Sequence, residues 1–328
     1  MAEMHLCVCR KRKIFVLVLV LFMSVLAGYK IFGESRDYYN YSYFFDEYRY
    51  PMQTRMEPGF VGLVYLIKII LKSNIQLLLF MVSCIGLGMK MLIISRYRNW
   101  IIMILWYLFL LYPLHELTQL RLAVGSAFLY WSIYYFSEGN RRNGHAMMFI
   151  SSLFHYSCLV LYPLMLLAER VQGNSVKKSL INFAVLILFV SSFMFWNDNA
   201  GFVSLFRNFN PMLDRYVGDA SLYYDIPTIV NSKTVVTIFL IMIGFKFYKK
   251  IGTSHRLWFW VSVYGITMYY LLNRIPVLSQ RIYEMTMFSY LIWVFDLPGI
   301  YRHVGVAAFT VMIIYLFIDM VYYKSYFL

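Results

Sequence analysis

The chain has 328 residues, of which 61% are hydrophobic and only 14% are charged. A soluble domain is about half apolar and about a quarter charged, so this composition excludes an ordinary soluble fold. The net charge of +14 does not predict a nucleic-acid partner, because the basic residues lie in short clusters between apolar runs. These runs predict an all-α fold, namely a polytopic integral membrane protein.

The apolar runs predict about nine or ten transmembrane helices. The first covers residues 14–32 and follows a basic cluster at residues 10–13, which places the N-terminus in the cytoplasm. The further runs are 75–94, 101–112, 117–136, 180–196, 234–247, 257–272, 282–295 and 304–322. We expect them to form a single transmembrane domain over residues 1–328.

One or two further helices are expected to be re-entrant or interfacial. A helix opened by Pro58 ends near Lys72, and its roughly 15 residues are too short to cross a hydrocarbon core of about 30 Å. Residues 146–168 are apolar but are interrupted by His155. A re-entrant path would keep the next basic loop in the cytoplasm, whereas a simple span would place that loop outside, and both remain open.

Two predicted outer loops, about residues 33–57 and 197–232, are rich in tyrosine and acidic residues. Tyrosine combines an apolar ring with a polar tip, which suits partly wet surfaces and the mixed faces of sugars. An aromatic belt at the membrane interface explains the same composition. Asp37 and Glu57 in the first loop are candidate acid–base groups.

Arginine residues at the ends of apolar helices indicate a possible anion site. Arg121 and Arg281 each lie at the outer end of such a helix, with Arg274 close to the second. Guanidinium groups stay charged when partly buried and bind phosphate oxygens in bidentate fashion, so a cluster of them would suit a diphosphate. These arginines would equally neutralise Glu116 and Glu284, or extend from a helix end to the interface.

His155 lies in the middle of an apolar run, where ionisable side chains are costly and normally face the protein interior or a wet cavity. It is a candidate base, although a single histidine in such a run is more often a structural residue. The sequence has no phosphate-binding loop, dinucleotide fingerprint, metal-protease helix or nucleophile elbow, so no metal or cofactor is expected.

Several short motifs follow one another over about residues 30–295. The first outer loop contains Asp37, Tyr38, Tyr41, the run Glu57, Pro58, Gly59, Phe60, and, some residues on, Lys68. The next motif is Leu120, Arg121, Leu122, Ala123, followed about thirty residues later by Phe154, His155, Tyr156, Ser157. Arg215 and Tyr216 lie in the long loop, and Arg281 and Tyr283 come late in the chain. In their order and spacing, these motifs resemble those of the EpsG-like and Wzy-type polysaccharide polymerases.

This resemblance implies a multi-pass polymerase of O-antigen, capsule or exopolysaccharide in a bacterial inner membrane. Such a glycosyltransferase joins undecaprenyl-diphosphate-linked oligosaccharide repeat units at the periplasmic face, without metal or nucleotide. Its expected partners are that lipid-linked substrate, membrane lipids and a chain-length regulator. The catalytic residues implied are Arg121, Arg281, His155, Asp37 and Glu57. The substrate-binding residues implied are Tyr38, Tyr41, Arg274, Tyr283, Arg215 and Tyr216.

Three other functions fit the same sequence less closely. A flippase or transporter for lipid-linked oligosaccharides would show repeats and broken helices near the membrane midplane, and the sequence contains no repeat. A membrane acyltransferase that modifies the polysaccharide would use His155 as its base, but no acidic motif lies next to that residue. A non-catalytic scaffold predicts that single arginine or histidine substitutions are silent.

Overall fold

A computed structural model of the chain describes residues 2–30, 37–50, 56–173, 175–195, 231–272 and 276–323. These residues are predominantly helical and include no β-strand. The α-helices are α1 (Ala2–Gly28), α2 (Tyr38–Glu47), α3 (Pro58–Tyr65), α4 (Ile75–Ile94), α5 (Trp100–Leu110), α6 (Tyr112–His115), α7 (Leu120–Ser137), α8 (Arg141–Phe154), α9 (Tyr162–Leu166), α10 (Ala168–Val171), α11 (Val176–Phe195), α12 (Ser232–Lys246), α13 (Thr253–Leu271), α14 (Pro276–Met287), α15 (Tyr290–Trp293) and α16 (Gly299–Ile318).

Short irregular helices continue several of these elements. A π-helical turn, Leu66–Ile70, extends α3, and another, Asp319–Tyr323, extends α16. Turns of 3-10 helix cover Tyr156–Leu161, Tyr248–Lys250 and Val294–Asp296. The all-helical prediction is therefore confirmed for the described residues.

Among the residues that the structure describes, two helices are long and apolar enough to cross a membrane, Ile75–Ile94 and Gly299–Val321. Shorter apolar helices cover Pro58–Ile70, Trp100–Leu110 and Tyr156–Leu166. The predicted run 75–94 coincides with α4, and the predicted helix at 58–72 is as short as expected. The larger number of about nine or ten crossings stays a prediction.

The segments predicted at 33–57 and 146–168 differ in detail from their predictions. The first predicted outer loop contains α2, because an arrangement of large aromatic residues at positions 41, 44 and 45 gives this segment a buried helical face. The segment predicted at 146–168 starts earlier, at Arg141, and its α-helix ends at Phe154. His155 then leads into 3-10 helix, so the apolar run is not one continuous helix.

The described part of the chain divides into two compact units. The first comprises Met1–Tyr134, Arg142–Cys158 and Ile313–Leu328, and the second comprises Tyr135–Arg141 and Leu159–Met312.

In the first unit, α4 and α7 run side by side in the same direction. A side chain at Gly86 would lie 3.0 Å from the Ala123 carbonyl oxygen, and further along the two helices Trp131 Nε1 donates to the Met89 carbonyl at 3.0 Å. Gly86 lies near the middle of α4, whereas Ala123 lies in the first turn of α7. The turn that precedes α7 is therefore level with the middle of α4, not with its end.

Helix α8 runs antiparallel to α7 in the same unit. Ser132 Oγ donates to the Gly144 carbonyl at 2.8 Å, and Ser151 Oγ donates to the Gly125 carbonyl at 2.7 Å. The end of α8 therefore lies beside the beginning of α7. A side chain at Gly59 would lie 2.8 Å from the Leu153 carbonyl oxygen, so the beginning of α3 meets the same place.

The second unit is built on α13, most of whose side chains are buried, including Trp258 and Trp260. Tyr248 donates its hydroxyl to the Val171 carbonyl at 2.6 Å, which joins the 3-10 turn before α13 to α10. Helix α13 also contacts α14 closely. A side chain at Gly265 of α13 would overlap Thr286 of α14.

Candidate functional site

Three helix ends in the first unit each contribute one ionisable side chain to a common cluster of Glu57, Arg121 and His155, which we call the Glu57 cluster. Glu57 directly precedes α3, Arg121 lies in the first turn of α7, and His155 directly follows α8. The Arg121 guanidinium donates to Glu57 Oε2 at 2.5 Å, and His155 Nδ1 lies 3.2 Å from Glu57 Oε1. The two oxygens of one carboxylate therefore join the arginine to the histidine.

Two glycines allow this close approach. A side chain at Gly125 would lie 2.8 Å from the His155 Cβ, and one at Gly59 would collide with the backbone at the end of α8. Both contacts are shorter than real side chains tolerate, so the residues at these positions must lack a Cβ. The three helix ends can therefore approach one another closely, because glycine occupies the positions where their backbones meet.

The cluster is largely buried. The side chains of Glu57, His155 and Arg121 are 2%, 8% and 11% exposed, respectively. A buried carboxylate without a partner would be protonated, whereas this one has an arginine and a histidine as partners. Burial alone would raise the pKa of Glu57, but the hydrogen bond from His155 and the positive charge of Arg121 lower it to about 2. Glu57 is therefore an anion throughout the physiological range.

The hydrogen-bonding pattern assigns the His155 tautomer. An ionised carboxylate only accepts hydrogen bonds, so the proton of the neutral ring lies on Nδ1, which faces Glu57. The basic lone pair of the imidazole is then on Nε2. Carboxylate-to-imidazole contacts of this kind orient the ring and stabilise the imidazolium that forms when Nε2 takes a proton.

Arg121 retains donor capacity beyond its ion pair. Its guanidinium also hydrogen-bonds to the Tyr41 hydroxyl. Among the described residues, the buried Arg121 Nε–H has no hydrogen-bond partner. Buried donors are rarely left unsatisfied in folded proteins, so this N–H is available to an anionic oxygen of a ligand. Within the same described ranges, no group of three or more His, Cys, Asp and Glu side chains is arranged to hold a metal ion.

Helix α2 covers this cluster with aromatic side chains. Tyr41 is 6% exposed and packs on Phe60, with ring centroids 5.5 Å apart. Tyr38 is partly buried in the same apolar cluster. On the opposite face of α2, Tyr39 and Tyr43 are 67% and 71% exposed. Tyr41 therefore contacts Arg121 from the buried face of α2, while the exposed tyrosines of α2 are Tyr39 and Tyr43.

Three further predicted site residues lie on other elements of the described structure, namely Asp37, Arg281 and Tyr283. Asp37 directly precedes α2, and its backbone carbonyl accepts the Tyr41 N–H at 3.1 Å. Arg281 and Tyr283 lie on α14 in the second unit. The Tyr283 side chain is buried, and its hydroxyl lies 3.0 Å from the Thr237 hydroxyl. Arg274, Arg215 and Tyr216 lie outside the described residues.

Sequence reasoning missed Lys90. This residue lies inside the apolar helix α4, and its ammonium is 2.7 Å from Glu116 Oε1, with both side chains fully buried. The alternative interpretation that Arg121 neutralises Glu116 is therefore wrong, because Lys90 takes that role and Arg121 binds Glu57. The signal was present, since an ionisable residue inside an apolar span is by default a functional candidate.

The fold and the site together define a class of protein. It is a helical membrane protein in which interrupted helices bring an arginine, a carboxylate and a histidine into one buried cluster. A family model, described as the EpsG family, matches residues 13–327. The chain therefore belongs to the EpsG family, as its motifs predicted, and this membership associates it with polysaccharide production at a membrane. No curated protein and no solved structure matches the chain.

Proposed function

We propose that this protein is a polysaccharide polymerase that joins undecaprenyl-diphosphate-linked oligosaccharide repeat units at the periplasmic face of a bacterial inner membrane. The observation that carries the proposal is the contact of Glu57 with both Arg121 and His155. Membership of the EpsG family is consistent with a glycosyltransferase-like polymerase. In this proposal the protein crosses the membrane many times, as its composition predicts.

The donor diphosphate is the group that Arg121 would bind. When the glycosidic bond to the diphosphate breaks, negative charge develops on the leaving oxygen. A guanidinium held rigidly by Glu57 and Tyr41 stabilises that charge without having to reorganise. The unsatisfied Nε–H of Arg121 supplies a donor for a phosphate oxygen.

His155 would be the general base. An acceptor sugar hydroxyl attacks the anomeric carbon of the donor, a new glycosidic bond forms, and undecaprenyl diphosphate leaves. The proton of the attacking hydroxyl passes to His155 Nε2, because Nδ1 already carries the proton that faces Glu57. Glu57 itself is a poor base, since its pKa of about 2 leaves it little tendency to take a proton.

The remaining residues have supporting roles in this proposal. Asp37 stays a candidate for orienting the acceptor, and Tyr38 stays a candidate sugar contact. Tyr41 acts mainly through Arg121, since its ring is buried. The roles predicted for Arg281, Tyr283, Arg274, Arg215 and Tyr216, and the predicted chain-length partner, stay predictions.

One observation favours a second candidate function, a flippase for the same lipid-linked oligosaccharide. The cluster lies beside the middle of α4, at helices that end partway along it, and transporters place broken helices near the midplane. The two functions use the same lipid-linked substrate but differ in product, because a flippase moves the oligosaccharide across the membrane without lengthening it.

The test uses the purified full-length chain in liposomes supplied with lipid-linked repeat units. A polymerase yields a ladder of products longer than one repeat, together with free undecaprenyl diphosphate. Movement of intact units across the bilayer without any ladder would identify the flippase and reject the polymerase. Empty liposomes with the same substrate control for spontaneous transfer.

A further inference from the structure

A second charged cluster lies entirely inside the first unit. Lys90 Nζ is 2.7 Å from Glu116 Oε1, and both side chains are 0% exposed. The Tyr107 hydroxyl lies 2.8 and 2.7 Å from the two oxygens of the same carboxylate. His115 Nδ1 is 3.4 Å from Lys90 Nζ. We call these residues, Lys90, Tyr107, His115 and Glu116, the inner cluster.

The inner cluster lies at the interruption between α5 and α7. Helix α5 has 11 residues, about 16 Å of helix at 1.5 Å per residue, so it ends well short of a full crossing. Glu116 follows α6 in the turn that reverses the chain. A side chain at Gly86 would lie 3.3 Å from Glu116 Oε1 and 3.0 Å from the Ala123 carbonyl, so α4, this turn and α7 meet at one point.

Hydrogen bonds connect the turn that contains Glu116 to the start of α7. The Leu117 N–H donates to the Tyr112 carbonyl at 3.3 Å, and the Gln119 N–H donates to the Leu114 carbonyl at 3.1 Å. The Thr118 hydroxyl donates to the Leu114 carbonyl as well. The Gln119 carbonyl then accepts the first helical N–H of α7, from Ala123, at 2.8 Å. Arg121 lies inside this hydrogen-bonded segment, five residues after Glu116.

A buried ion pair is weak evidence for added stability, because the loss of hydration offsets the attraction between the charges. Its best-attested use is to fix which parts of a structure lie side by side. Here the pair joins a fixed position in α4 to the turn that leads to Arg121. An apolar pair of similar size would fill the space without fixing the turn in one register.

We infer that Lys90 and Glu116 are positioning residues of the proposed polymerase: their ion pair holds the turn before α7 so that Arg121 reaches Glu57. This inference rests on the proposed function. It adds that the inner cluster has no contact with the substrate and acts only through Arg121. Tyr107 shares the role, because its hydroxyl holds the orientation of the Glu116 carboxylate.

The test is a double-mutant cycle between Glu116→Gln and Arg121→Lys, measured as elongation rate in liposomes. Glu116→Gln should lower kcat at least tenfold in the wild-type background, since a displacement of about 1 Å can reduce a rate about 100-fold. In the Arg121→Lys background, the same change should lower kcat less than threefold, because the group it positions is already altered. Equal factors in both backgrounds would overturn the inference and assign the pair a merely structural role.

A milder variant keeps the inference testable if Glu116→Gln does not reach the membrane. Tyr107→Phe leaves both charges in place and should lower kcat about fivefold in the wild-type background only, if one hydrogen bond to the carboxylate is lost. Tyr264→Phe, which removes a buried hydroxyl bound to the Val160 carbonyl in the second unit, is the matched control and should leave kcat unchanged. Equal Tyr107→Phe factors in both backgrounds would also overturn the inference.

The outcomes separate this inference from the proposed function. A wild-type protein that makes no product longer than one repeat overturns the polymerase and, with it, the positioning role. An active wild-type protein whose double-mutant cycle is additive overturns the positioning role alone. An active wild-type protein with a strongly non-additive cycle supports both.

Discussion

The two buried clusters of the first unit contain the same kinds of groups in a different order. In the Glu57 cluster the imidazole of His155 contacts the carboxylate, whereas in the inner cluster the imidazole of His115 contacts the ammonium of Lys90. An ammonium only donates, so His115 Nδ1 accepts and its proton lies on Nε2. His155 can gain a proton beside a negative charge, whereas a protonated His115 would place two positive charges 3.4 Å apart.

This difference indicates that the Glu57 cluster carries out the proposed chemistry, whereas the inner cluster supports it structurally. Only the Glu57 cluster is partly exposed, through the 11% exposed side chain of Arg121, and only that cluster has a base that can accept a proton. The Lys90–Glu116 ion pair of the inner cluster is fully buried, and the Tyr107 hydroxyl also contacts its carboxylate. Substitutions in the Glu57 cluster should therefore reduce elongation more than matched substitutions in the inner cluster.

The largest effect is expected at Arg121. Arg121→Ala should abolish polymer longer than one repeat, because it removes the donor to the leaving diphosphate and leaves the Glu57 charge buried without its guanidinium. Arg121→Lys should also lose at least tenfold in kcat, since a point charge does not replace a planar fork. Polymer length on a gel and protein amount in the membrane are measured together. Normal banding for Arg121→Ala would exclude a catalytic role.

The next largest effect distinguishes the two histidines. His155→Asn keeps an N–H donor near the Nδ1 position but has no basic Nε2, so kcat should fall about 100-fold or more. His115→Asn makes the same change in the inner cluster and should cost less than fivefold, because no proton transfer occurs there. Elongation rates of both variants are compared at equal protein in liposomes. Equal losses in the two variants would break the proposed division between the clusters.

Arg121, His155 and Glu57 could each be selected from the sequence, because charge inside or beside an apolar run is costly. Their contact could not be predicted, since Glu57 is separated from Arg121 by 64 residues and from His155 by 98. Pairing at such a distance depends on how helices pack, and no local pattern encodes it.

The tyrosines of the first outer loop show a second limit. Their abundance predicted a partly wet surface, and α2 confirms that some are exposed, but composition does not say which. The prediction of a loop at residues 33–57 did not take account of helical periodicity. In α2 this periodicity buries Tyr41 and exposes Tyr39 and Tyr43. The run 75–94, in contrast, predicted α4 fully, because hydrophobicity and helix length are local properties.

A smaller effect concerns the pH dependence of stability. The pKa of Glu57 is lowered from 4.5 to about 2 in the folded protein. A lowered carboxyl pKa stabilises the fold above the unfolded-state pKa, and this contribution is lost as the pH falls through the folded value. The midpoint of thermal unfolding should therefore fall between about pH 4.5 and pH 2 more steeply in the wild type than in Glu57→Gln. The two proteins should behave in parallel between pH 6 and 8, and identical acid profiles would contradict the assigned charge state.

The smallest effect concerns the cover that α2 provides over the Glu57 cluster. Lys68 donates to the Phe45 and Asp46 carbonyls at 2.6 and 2.5 Å, which ties the end of α2 to the turn after α3. Lys68→Met should lower stability by about 1 kcal/mol, the net worth of such hydrogen bonds near a surface. It should also speed amide exchange in α2 and slow elongation a few fold, because Tyr41 then holds Arg121 less firmly. Exchange in the turn before α7 should not change, and a uniform increase across both clusters would show that Lys68 stabilises the whole unit instead of this cover.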